Sequence, residues 1–548
     1  MDDLERVLAY HERTKHQPGR FARGPGGLDW DSQPDPWRRH PGAPTLLLPF
    51  PAPWARPALG ELGAGRVPPA PLDLDALSQL LERGLGLTAW KEAGGNRWAL
   101  RANPSSGNLH PTEGWLLLPA LPGLPGAGLY HYVSREHALE RRCALGPGGW
   151  EALVGGLPPG CFLLGLSSIP WREAWKYGER AWRYCQHDAG HALGALAYAA
   201  HTLGWTLRWL PHPGDDEAAA LLGLERAEEY AEVEAEHPDL LALVDPRGAA
   251  LDAWALPGWP DPAALAAARQ GQWAGRPTRL SPATVPWPVI EEAARAGRKP
   301  RGAPAPEAPS PLPPPAACPV GAVATILQRR SAVDFDGETG LSQAGFFALL
   351  DALLPRADRP PCDALGAWRP RLHPVLFVHR VDELDPGLFL LSRGGEGPLQ
   401  ALRAATRPAF AWEPVPGAPA HLPLRRLLTG DLRDAARLVS CQQEIARDGA
   451  FALGFLAEYG PTLRQLGPWA WRALHWEAGL VGQAIYLRAE ALGIRATGIG
   501  CFFDDLQHEL LGLQGDAWRT VYHFAAGGPV DDPRLATRPA YDRAGPRA

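Results

Sequence analysis

Lysine and methionine are almost absent from this sequence of 548 residues. Met1 is the only methionine, and the four lysines are Lys15, Lys91, Lys176 and Lys299, so nearly all basic residues are arginine. We interpret this scarcity as a compositional bias rather than as a function. It means that a lysine is unusual wherever it occurs in this chain.

The sequence also lacks the cysteine spacing of a zinc site or a disulfide framework. Its seven cysteines are scattered, and no two of them stand as Cys-x-x-Cys. An odd and dispersed set is typical of a reducing compartment, so we expect a cytoplasmic protein. His187 and His191 have the i, i+4 spacing of metal ligands, but we interpret them as core or interface histidines and predict no metal site.

Neither a strong charge nor a long apolar run is present. The formal net charge is −6 and charged residues make up 21% of the chain, which argues against nucleic acid as the main partner. No stretch approaches the roughly 20 uninterrupted apolar residues of a membrane span. The N-terminus is acidic and has no apolar segment, so we predict no signal peptide.

The two halves of the chain resemble each other. Residues 178–224 align with residues 467–513 without a gap, and both stretches contain Ala-Trp-Arg, Ala-Gly, Leu-Gly, Asp-Asp and Leu-Leu-Gly-Leu at matching positions. A chance alignment of this length is improbable. We interpret the chain as a tandem duplication whose two domains form a pseudo-dimer within one polypeptide, which is compatible with a monomeric protein.

Composition suggests where the domains begin and end. We predict an irregular N-terminal extension over residues 1–64 and a first domain over residues 65–275. A Pro-rich linker over residues 276–319 then leads to a second domain over residues 320–548. The linker ends in an Ala/Pro-rich run, which is typical of a semi-extended connection.

A small polar loop precedes an apolar run in the first half. Pro104, Ser105, Ser106, Gly107 and Asn108 combine a rigid residue, two hydroxyls, a permissive glycine and a carboxamide. A polar loop at the end of a buried strand is a common place for a ligand. The alternative interpretation is an ordinary Pro-Ser-Gly turn.

Each half has lost one motif that the other half keeps. When the halves are aligned on their shared Leu-His-Pro, the polar loop corresponds to Ala-Trp-Arg-Pro-Arg at residues 367–371. Conversely, Arg329, Arg330 and Ser331 of the second half correspond to part of the Gly-rich run 59–65. Guanidinium groups beside a hydroxyl suit a phosphate. The alternative is a solvated helix end.

A lysine–tyrosine pair stands just before the repeated helix of the first half. Lys176 and Tyr177 correspond to Gln465 and Leu466 in the second half, so the pair exists once, in the half that keeps the polar loop. Either side chain would need a lowered pKa to act as a base, because both titrate near 10 when free. The alternative is a solvated lysine beside a packing tyrosine.

These motifs resemble the nitroreductase superfamily of FMN oxidoreductases, over about residues 65–245 and 320–540. The resemblance implies that the Arg-Arg-Ser segment of the second half holds the FMN phosphate. Arg534 stands where the family often has a further basic residue. Val333 replaces another basic residue of the family pattern, which puts one phosphate contact in doubt.

The resemblance also implies where the flavin ring lies. The polar loop would contact the ring and ribityl chain from the opposite half. Gly500 and Cys501 would belong to the loop whose backbone amides approach flavin N5, although a Gly-rich helix exit explains them almost as well. One complete FMN site would then remain across the pseudo-dimer, while the other has decayed.

The Lys-Tyr pair, followed by Arg183 and by Gly190-His191, is similar to the SagB/ThcOx-type branch with its McbC-like proteins. That resemblance implies an α+β fold, with an antiparallel-rich sheet flanked by helices in each half. It also implies an FMN-dependent dehydrogenase of peptide azolines or similar small substrates, with proton removal by Lys176 or Tyr177 and a peptide-modifying complex as a candidate partner. The alternatives are an NAD(P)H-dependent nitro- or quinone reductase and a non-catalytic scaffold.

Overall fold

The computed structural model describes residues 1–307 and 309–542. It confirms the α+β class: two large antiparallel sheets, one in each half of the chain, are flanked by helices. The first sheet contains, in spatial order, Thr45–Leu47, Ala138–Ala144, Gly128–Val133, Thr112–Leu118, Phe162–Ser168, His237–Asp245 and Thr206–Trp209, with Gln272–Trp273 paired to Ala138–Ala144.

The second sheet repeats the order of the six strands from Ala138–Ala144 to Thr206–Trp209, and its remaining edge strand comes from a different place in the chain. It contains, again in spatial order, Glu413–Pro414, Leu424–Thr429, Gly387–Leu391, Leu372–Val378, Phe451–Glu458, Trp518–Gly527 and Arg495–Ile499. In both sheets the strand that begins at or just after the Leu-His-Pro motif lies in the middle, and the strand after the long helix lies at one edge. The topology therefore shows the same duplication as the sequence.

A third, smaller sheet joins the two halves. The C-terminal strand Ala536–Arg538 pairs antiparallel with Leu87–Ala93, which forms a hairpin with Asn96–Arg101 in the first half. Thr537 is opposite Lys91 in this pairing. The end of the second half thus crosses onto the first half.

The helices cover the sheets and connect them. Among the described residues, none of the helices has the length and apolar character that crossing a membrane requires. The α-helices are Asp3–Arg13, Leu74–Gly84, Gly149–Leu153, Pro170–Tyr177, Ala181–Thr202, Asp215–Leu222, Ala227–Tyr230, Pro262–Arg269, Pro288–Ala296, Ala322–Gln328, Gln343–Asp351, Glu396–Ala405, Arg433–Val439, Ile445–Asp448, Tyr459–Leu466, Ala470–Ala491 and Leu506–Leu511.

Two of these helices form the centre of the pseudo-dimer. The first interface helix, Ala181–Thr202, packs along the second interface helix, Ala470–Ala491. A Cβ atom on Gly190 would overlap the carbonyl oxygen of Trp476, and one on Gly479 would overlap that of His187. These two glycines, which match in the repeat, allow the helix backbones to touch.

The N-terminal extension is ordered against both halves. Its helix Asp3–Arg13 begins at a capping box on Asp2 and packs against the helix Pro288–Ala296, which lies inside the predicted linker. The Tyr10 hydroxyl donates to the Glu179 carbonyl at 2.7 Å. The linker range is therefore partly helical, and the predicted domain boundaries stay predictions.

Candidate functional site

A cavity of about 870 Å³ lies between the two halves, and residues of both halves form its wall. We call it the inter-half cavity. The first half contributes the polar loop and the first interface helix, and the second half contributes the Arg-Arg-Ser segment and a glycine-rich turn. The predicted site residues in this wall are Pro104, Ser105, Ser106, Asn108, Tyr177, Arg329, Arg330, Ser331, Gly500 and Cys501.

The polar loop is a tight turn with left-handed backbone. Gly107 and Asn108 have φ values of 59° and 60°, and the Ser105 hydroxyl accepts a hydrogen bond from the His110 backbone N–H at 2.8 Å. A Cβ atom on Gly107 would overlap the Tyr177 hydroxyl. Glycine is therefore required here both by conformation and by the close approach of Tyr177.

Asp188, on the first interface helix, is hydrogen-bonded to the polar loop. Its carboxylate accepts hydrogen bonds from the Ser106 backbone N–H at 3.2 Å and from the Ser106 hydroxyl at 3.3 Å. Burial raises the pKa of Asp188 to about 7, although its hydrogen bonds to the loop serines oppose this shift. The cavity wall therefore contains a carboxyl that changes its charge near neutral pH.

The counterpart of Asp188 in the second half has a different environment. Glu477 also accepts hydrogen bonds from a loop backbone, that of Arg371, at 3.1 and 3.3 Å. In addition, it forms a buried ion pair with Arg393 at 2.5 Å. Sequence reasoning missed Asp188, but its alignment with an acidic residue of the other half is a signal that could have found it.

Only the tyrosine of the lysine–tyrosine pair is part of the cavity wall. Tyr177 lines the cavity, whereas Lys176 does not, and the Lys176 Nζ atom lies 5.3 Å from the centre of the Tyr177 ring. Burial, with the nearby Glu173, Tyr184 and Asp188, raises the pKa of Tyr177 well above its usual value. Tyr177 is thus a neutral phenol in this arrangement.

Glu173 is fully buried beside the pair. Burial and the carboxyl of Asp188 raise its pKa well above the usual value, although Lys176 and Ser105 oppose the shift. Glu173 and Asp188 are therefore two buried carboxyls with raised pKa values, and Asp188 is the one that lines the cavity. Sequence reasoning missed Glu173, which no repeat or motif marks.

The Arg-Arg-Ser segment reaches across to the first half. Arg329 Nη2 donates to the carbonyl oxygens of Arg101 and Ala102, both at 2.8 Å, and its guanidinium lies 5.1 Å from the centre of the Tyr486 ring. The Ser331 hydroxyl donates to the Tyr486 hydroxyl at 3.0 Å. Arg329 therefore supplies positive charge to the cavity and also holds the backbone that leads into the polar loop.

Several cations converge at this end of the cavity. Lys91 of the first half and Arg495 of the second half line the cavity beside Arg330. Burial and repulsion from Arg329 and Arg495 lower the pKa of Arg330 to about 10, and burial with Arg330 and Arg495 also lowers the pKa of Lys91. Such mutual repulsion favours the binding of an anion.

Lys91 and Arg495 were not among the predicted site residues. Lys91 donates to the Thr537 hydroxyl at 2.7 Å, and Arg495 pairs with Asp531 at 2.7 Å. The scarcity of lysine in the sequence is a weak signal for Lys91. No signal in the sequence singles out Arg495, because its position depends on how the second sheet faces the first half.

Arg534 lies elsewhere. Its side chain is 84% exposed and pairs with Asp532 of the same turn at 2.7 Å. The neighbouring Pro533 and Leu535 line the cavity, but Arg534 does not. Its predicted contact with a phosphate stays a prediction.

Gly500 is fixed by groups of the first half. Its carbonyl accepts hydrogen bonds from Arg180 Nη2 at 3.1 Å and from the Tyr184 hydroxyl at 3.3 Å. Arg180 and Arg183 pair in turn with Asp504, at 2.9 and 2.6 Å. Burial opposes ionisation of Asp504, but the two arginines hold its pKa down at about 2.

The pseudo-symmetric position of the cavity is filled by tryptophan. Trp209 aligns with Gly498, which lines the cavity, and Trp368 aligns with Ser105 of the polar loop. The rings of Trp209 and Trp368 lie 6.1 Å apart, and Trp469 and Trp476 pack on Trp209 at 6.4 and 6.3 Å. Indole rings thus occupy the place where a second ligand would lie.

The residues around the inter-half cavity fit a flavin nucleotide. Its volume lies in the range of about 300–1,000 Å³ that is usual for small-molecule sites. Cations are gathered at one end, as a phosphate requires. Within the described ranges, the buried Arg329 Nε and Asn103 Oδ1 atoms, whose residues both line the cavity, have no hydrogen-bond partner. Most buried polar atoms have a hydrogen-bond partner, so a bound ligand or water is expected to satisfy these two.

One cluster in the described chain has the composition of a metal site. His40, His131 and Glu140 place one ligand atom each within 4.8 Å of the others. Burial opposes protonation of His131, but hydrogen bonds to Glu113 and Glu140 raise its pKa to about 9. His131 lies 2.9 Å from Glu113 and 3.2 Å from Glu140, so histidine–carboxylate contacts hold this cluster together.

The two helical histidines are engaged by the second half. His187 Nε2 lies 3.0 Å from the Val521 carbonyl oxygen, and His191 Nε2 lies 3.2 Å from the Tyr522 hydroxyl. Both are buried at the interface of the halves. Their surroundings are those expected of interface histidines.

Sequence comparison with known proteins gives matches over part of the chain, and structural comparison gives a match over nearly all of it. Residues 401–528 match the Nitroreductase family. A protein of Methanocaldococcus jannaschii named as a nitroreductase is 29% identical over 89 residues, which are 16% of this chain and 45% of that protein. The chain thus matches less than half the length of this curated relative.

Solved structures extend the likeness to both halves. A crystal structure from Anabaena variabilis, of a protein named as a nitroreductase, has a TM-score of 0.68 and 22% identity. The match covers 96% of this chain and 99% of that one. One chain of an E. coli microcin synthetase McbBCD complex also matches, with a TM-score of 0.27 and 17% identity, over 44% of this chain and 92% of that chain. The first of these matches shows that the whole two-domain fold occurs in another protein.

Proposed function

We propose that this protein is an FMN-dependent oxidoreductase that holds one FMN in the inter-half cavity. The observation that carries the proposal is the meeting of two complementary motifs. The polar loop survives only in the first half and the Arg-Arg-Ser segment only in the second, yet both line one cavity. A site of this kind needs both halves and is complete once in the chain.

The phosphate would lie at the cationic end of the cavity. Arg330, Ser331 and Lys91 would contact it, and Arg329 would contribute charge while it holds the carbonyls of the first half. Charge-assisted bonds from guanidinium and ammonium groups are the strong contacts for such an anion. The phosphate would thus be bound by groups from both halves.

The ring would lie between the polar loop and the Gly500 turn. Ser105, Ser106 and Asn108 would contact the ring and ribityl chain, and the backbone of Gly500 and Cys501 would approach the reactive edge. Bound FMN would supply the hydride acceptor of the reaction. Backbone N–H donors at that edge would stabilise negative charge on the reduced ring.

Lys176, Tyr177 and Asp188 of the first half are the residues that we propose for proton transfer. Tyr177 lies in the cavity wall as a neutral phenol, and the Lys176 Nζ atom lies 5.3 Å from the centre of its ring. A proton taken up by Lys176 could pass by way of the Tyr177 hydroxyl, while Asp188 in the same wall changes charge near neutral pH. General-base assistance of this kind typically contributes about 10²–10⁴-fold to a rate.

The reaction that we propose is the dehydrogenation of an azoline in a peptide, or of a similar small substrate. Hydride would leave for the cofactor and a proton for Lys176, by way of the neutral Tyr177 hydroxyl. The residue pair favours this direction, because a substrate that only receives hydride from the cofactor needs no such base. The substrate class depends on the resemblance of the Lys-Tyr motif.

The test compares two directions of electron flow in one protein. The purified full chain, loaded with FMN, is mixed anaerobically with an azoline-containing peptide and, separately, with NADPH followed by a quinone. We expect the peptide to bleach the flavin absorbance and to yield the azole. Bleaching by NADPH alone, with rapid quinone reduction, would establish the reductase instead. A chain that binds no flavin would favour the scaffold.

A further inference from the structure

Cys441 and Cys501 lie side by side in the second half, although 60 positions separate them in the sequence. The Phe503 backbone N–H donates to the Val439 carbonyl at 2.9 Å, and Gln443 Nε2 donates to the Cys501 carbonyl at 2.8 Å. These two bonds flank the cysteines and hold their backbones together. The Cys441 thiol also shifts the pKa of Cys501, as a neighbouring side chain does.

One of the two cysteines lines the inter-half cavity. Cys501 lines the wall next to Gly500, and Gln443, two residues after Cys441, lines it as well. Both side chains are half-buried and both are free thiols. The cysteine pair thus adjoins the site that we assign to the flavin ring.

The surroundings activate Cys501. The Cys441 thiol lowers the pKa of Cys501 by hydrogen bonding to its sulfur, and His16 and Arg180 act in the same direction, although burial opposes them. The thiolate is the reactive form of cysteine in disulfide chemistry. An activated thiol beside a second, protonated thiol is the arrangement from which a disulfide forms.

Three of the other five cysteines differ clearly from this pair. Cys143, Cys161 and Cys185 are buried, and burial raises the pKa of each thiol. In the described ranges, His40, His131 and Glu140 are the only group of three potential ligand atoms within 4.8 Å of one another. The cysteine pair is therefore not part of a ready-made metal site.

We infer that Cys441 and Cys501 form a redox-active dithiol that exchanges an electron pair with the flavin of the inter-half cavity. This inference rests on the proposed function. When the disulfide forms, the two S–H bonds break and one S–S bond forms, releasing two electrons and two protons. The electron pair and one proton go to the oxidised flavin, and the second proton goes to solvent. The reverse reaction restores both thiols.

The dithiol would give the protein a second two-electron store. Substrate-derived electrons could remain on the sulfur atoms after the flavin has been reoxidised. Because Cys501 is in the cavity wall, disulfide formation would link this part of the wall covalently to Cys441. The conversion between dithiol and disulfide would thus change the cavity wall at Cys501.

The first experiment asks whether the disulfide forms, and it needs no flavin. The flavin-free full chain is treated with an oxidised small disulfide, alkylated, digested and mapped by mass spectrometry. We expect a cross-linked peptide joining Cys441 to Cys501 that disappears on reduction. The Cys441→Ser variant should lack it, while Cys318→Ser, at another half-buried cysteine, should keep it. Absence of this cross-link would overturn the inference.

The second experiment asks whether the electrons reach the flavin. The oxidised, FMN-loaded chain is titrated anaerobically with dithionite while flavin absorbance is followed. We expect the wild-type and Cys318→Ser proteins to take up one electron pair more per chain than Cys441→Ser. Equal uptake would mean that the disulfide does not exchange with the flavin, which also overturns the inference. Cross-linking in a chain that binds no FMN would reject the proposed function and leave only an isolated disulfide.

Discussion

The indole rings of Trp209 and Trp368 lie 6.1 Å apart, one from each half of the chain. Their counterparts in the repeat, Gly498 and Ser105, both line the inter-half cavity. A pair of small residues on one side of the pseudo-dimer thus corresponds to a pair of large buried ones on the other. The duplication has kept one cavity and filled the equivalent position with side chains.

This relationship predicts a stoichiometry of one FMN per chain. Flavin released from purified protein by denaturation, measured by absorbance against protein concentration, should give one flavin for each polypeptide. Replacing Trp209 and Trp368 with the counterparts Gly and Ser should not restore a second site, because residues 59–65 provide no phosphate contacts. Two flavins per chain would contradict the complementary roles of the halves.

The cationic end of the cavity predicts selective loss of phosphate recognition. Lys91→Ala should weaken FMN binding by about 10–100-fold, since a charge-assisted hydrogen bond contributes about 1.5–3 kcal/mol. Riboflavin affinity should hardly change, because riboflavin has no phosphate. Both affinities are measured by quenching of flavin fluorescence.

Arg329→Ala should behave differently. Because Arg329 also donates to the carbonyls of Arg101 and Ala102, its loss should weaken FMN binding and, to a smaller degree, riboflavin binding. Arg534→Ala is the matched control at an exposed arginine. A large effect of Arg534→Ala, with none for Lys91→Ala, would move the phosphate to the C-terminal turn.

The lysine–tyrosine pair predicts a defect in chemistry without a defect in binding. Lys176→Ala and Tyr177→Phe should retain FMN but reduce it about 10²–10⁴-fold more slowly with the true substrate. Stopped-flow absorbance follows this step, and reoxidation by oxygen should barely change. Gln465→Ala and Leu466→Ala are the controls at the equivalent positions. Loss of flavin from Lys176→Ala would make the lysine a cofactor ligand instead.

Asp188 predicts a pH dependence of stability. Its folded pKa of about 7 lies above the unfolded value of about 3.9, so the unfolded state loses its proton first as the pH rises. The folded state then binds more protons, and the free energy of unfolding falls between about pH 4 and pH 7. Above pH 7 this contribution is constant.

Asp188→Asn should remove that fall. Relative to wild type, the flavin-free variant should gain about 2–3 kcal/mol of stability between about pH 5 and pH 7, at 1.36 kcal/mol for each pH unit. Thermal unfolding at the two pH values measures the difference. Asp385→Asn, at an exposed carboxylate, should show no such gain. Parallel pH profiles for wild type and Asp188→Asn would refute the assignment.

The polar loop predicts a specific requirement for glycine at residue 107. Gly107→Ala should lower the thermal unfolding midpoint more than Gly94→Ala, although both glycines have positive φ. Both variants carry the cost of left-handed backbone, of order 1–3 kcal/mol, but only at Gly107 would the new methyl group overlap the Tyr177 hydroxyl. Tyr177→Phe should partly relieve the Gly107→Ala defect. Equal effects of the two alanine variants would argue against this contact.

Much of the fold was predictable from periodicity and from the repeat. The apolar spacing of residues 72–83 predicts an amphipathic helix, and a helix is observed at Leu74–Gly84. The polar stretch from Asp2 to His16 predicts a short helix, which is observed at Asp3–Arg13. The hairpin Leu87–Ala93 with Asn96–Arg101 was missed. Its partner strand, Ala536–Arg538, comes from the opposite end of the chain, so no local pattern indicates the sheet.

The sequence by itself determined that the chain is a duplication and that each half keeps one motif. These facts depend only on residue identity along two aligned stretches. The tertiary structure decided which residues meet: Lys91 beside Arg330, Asp188 beneath Ser106, and Cys441 beside Cys501. Side chains from distant segments converge only when the two interface helices pack and the sheets face each other, and no spacing in the sequence encodes that geometry.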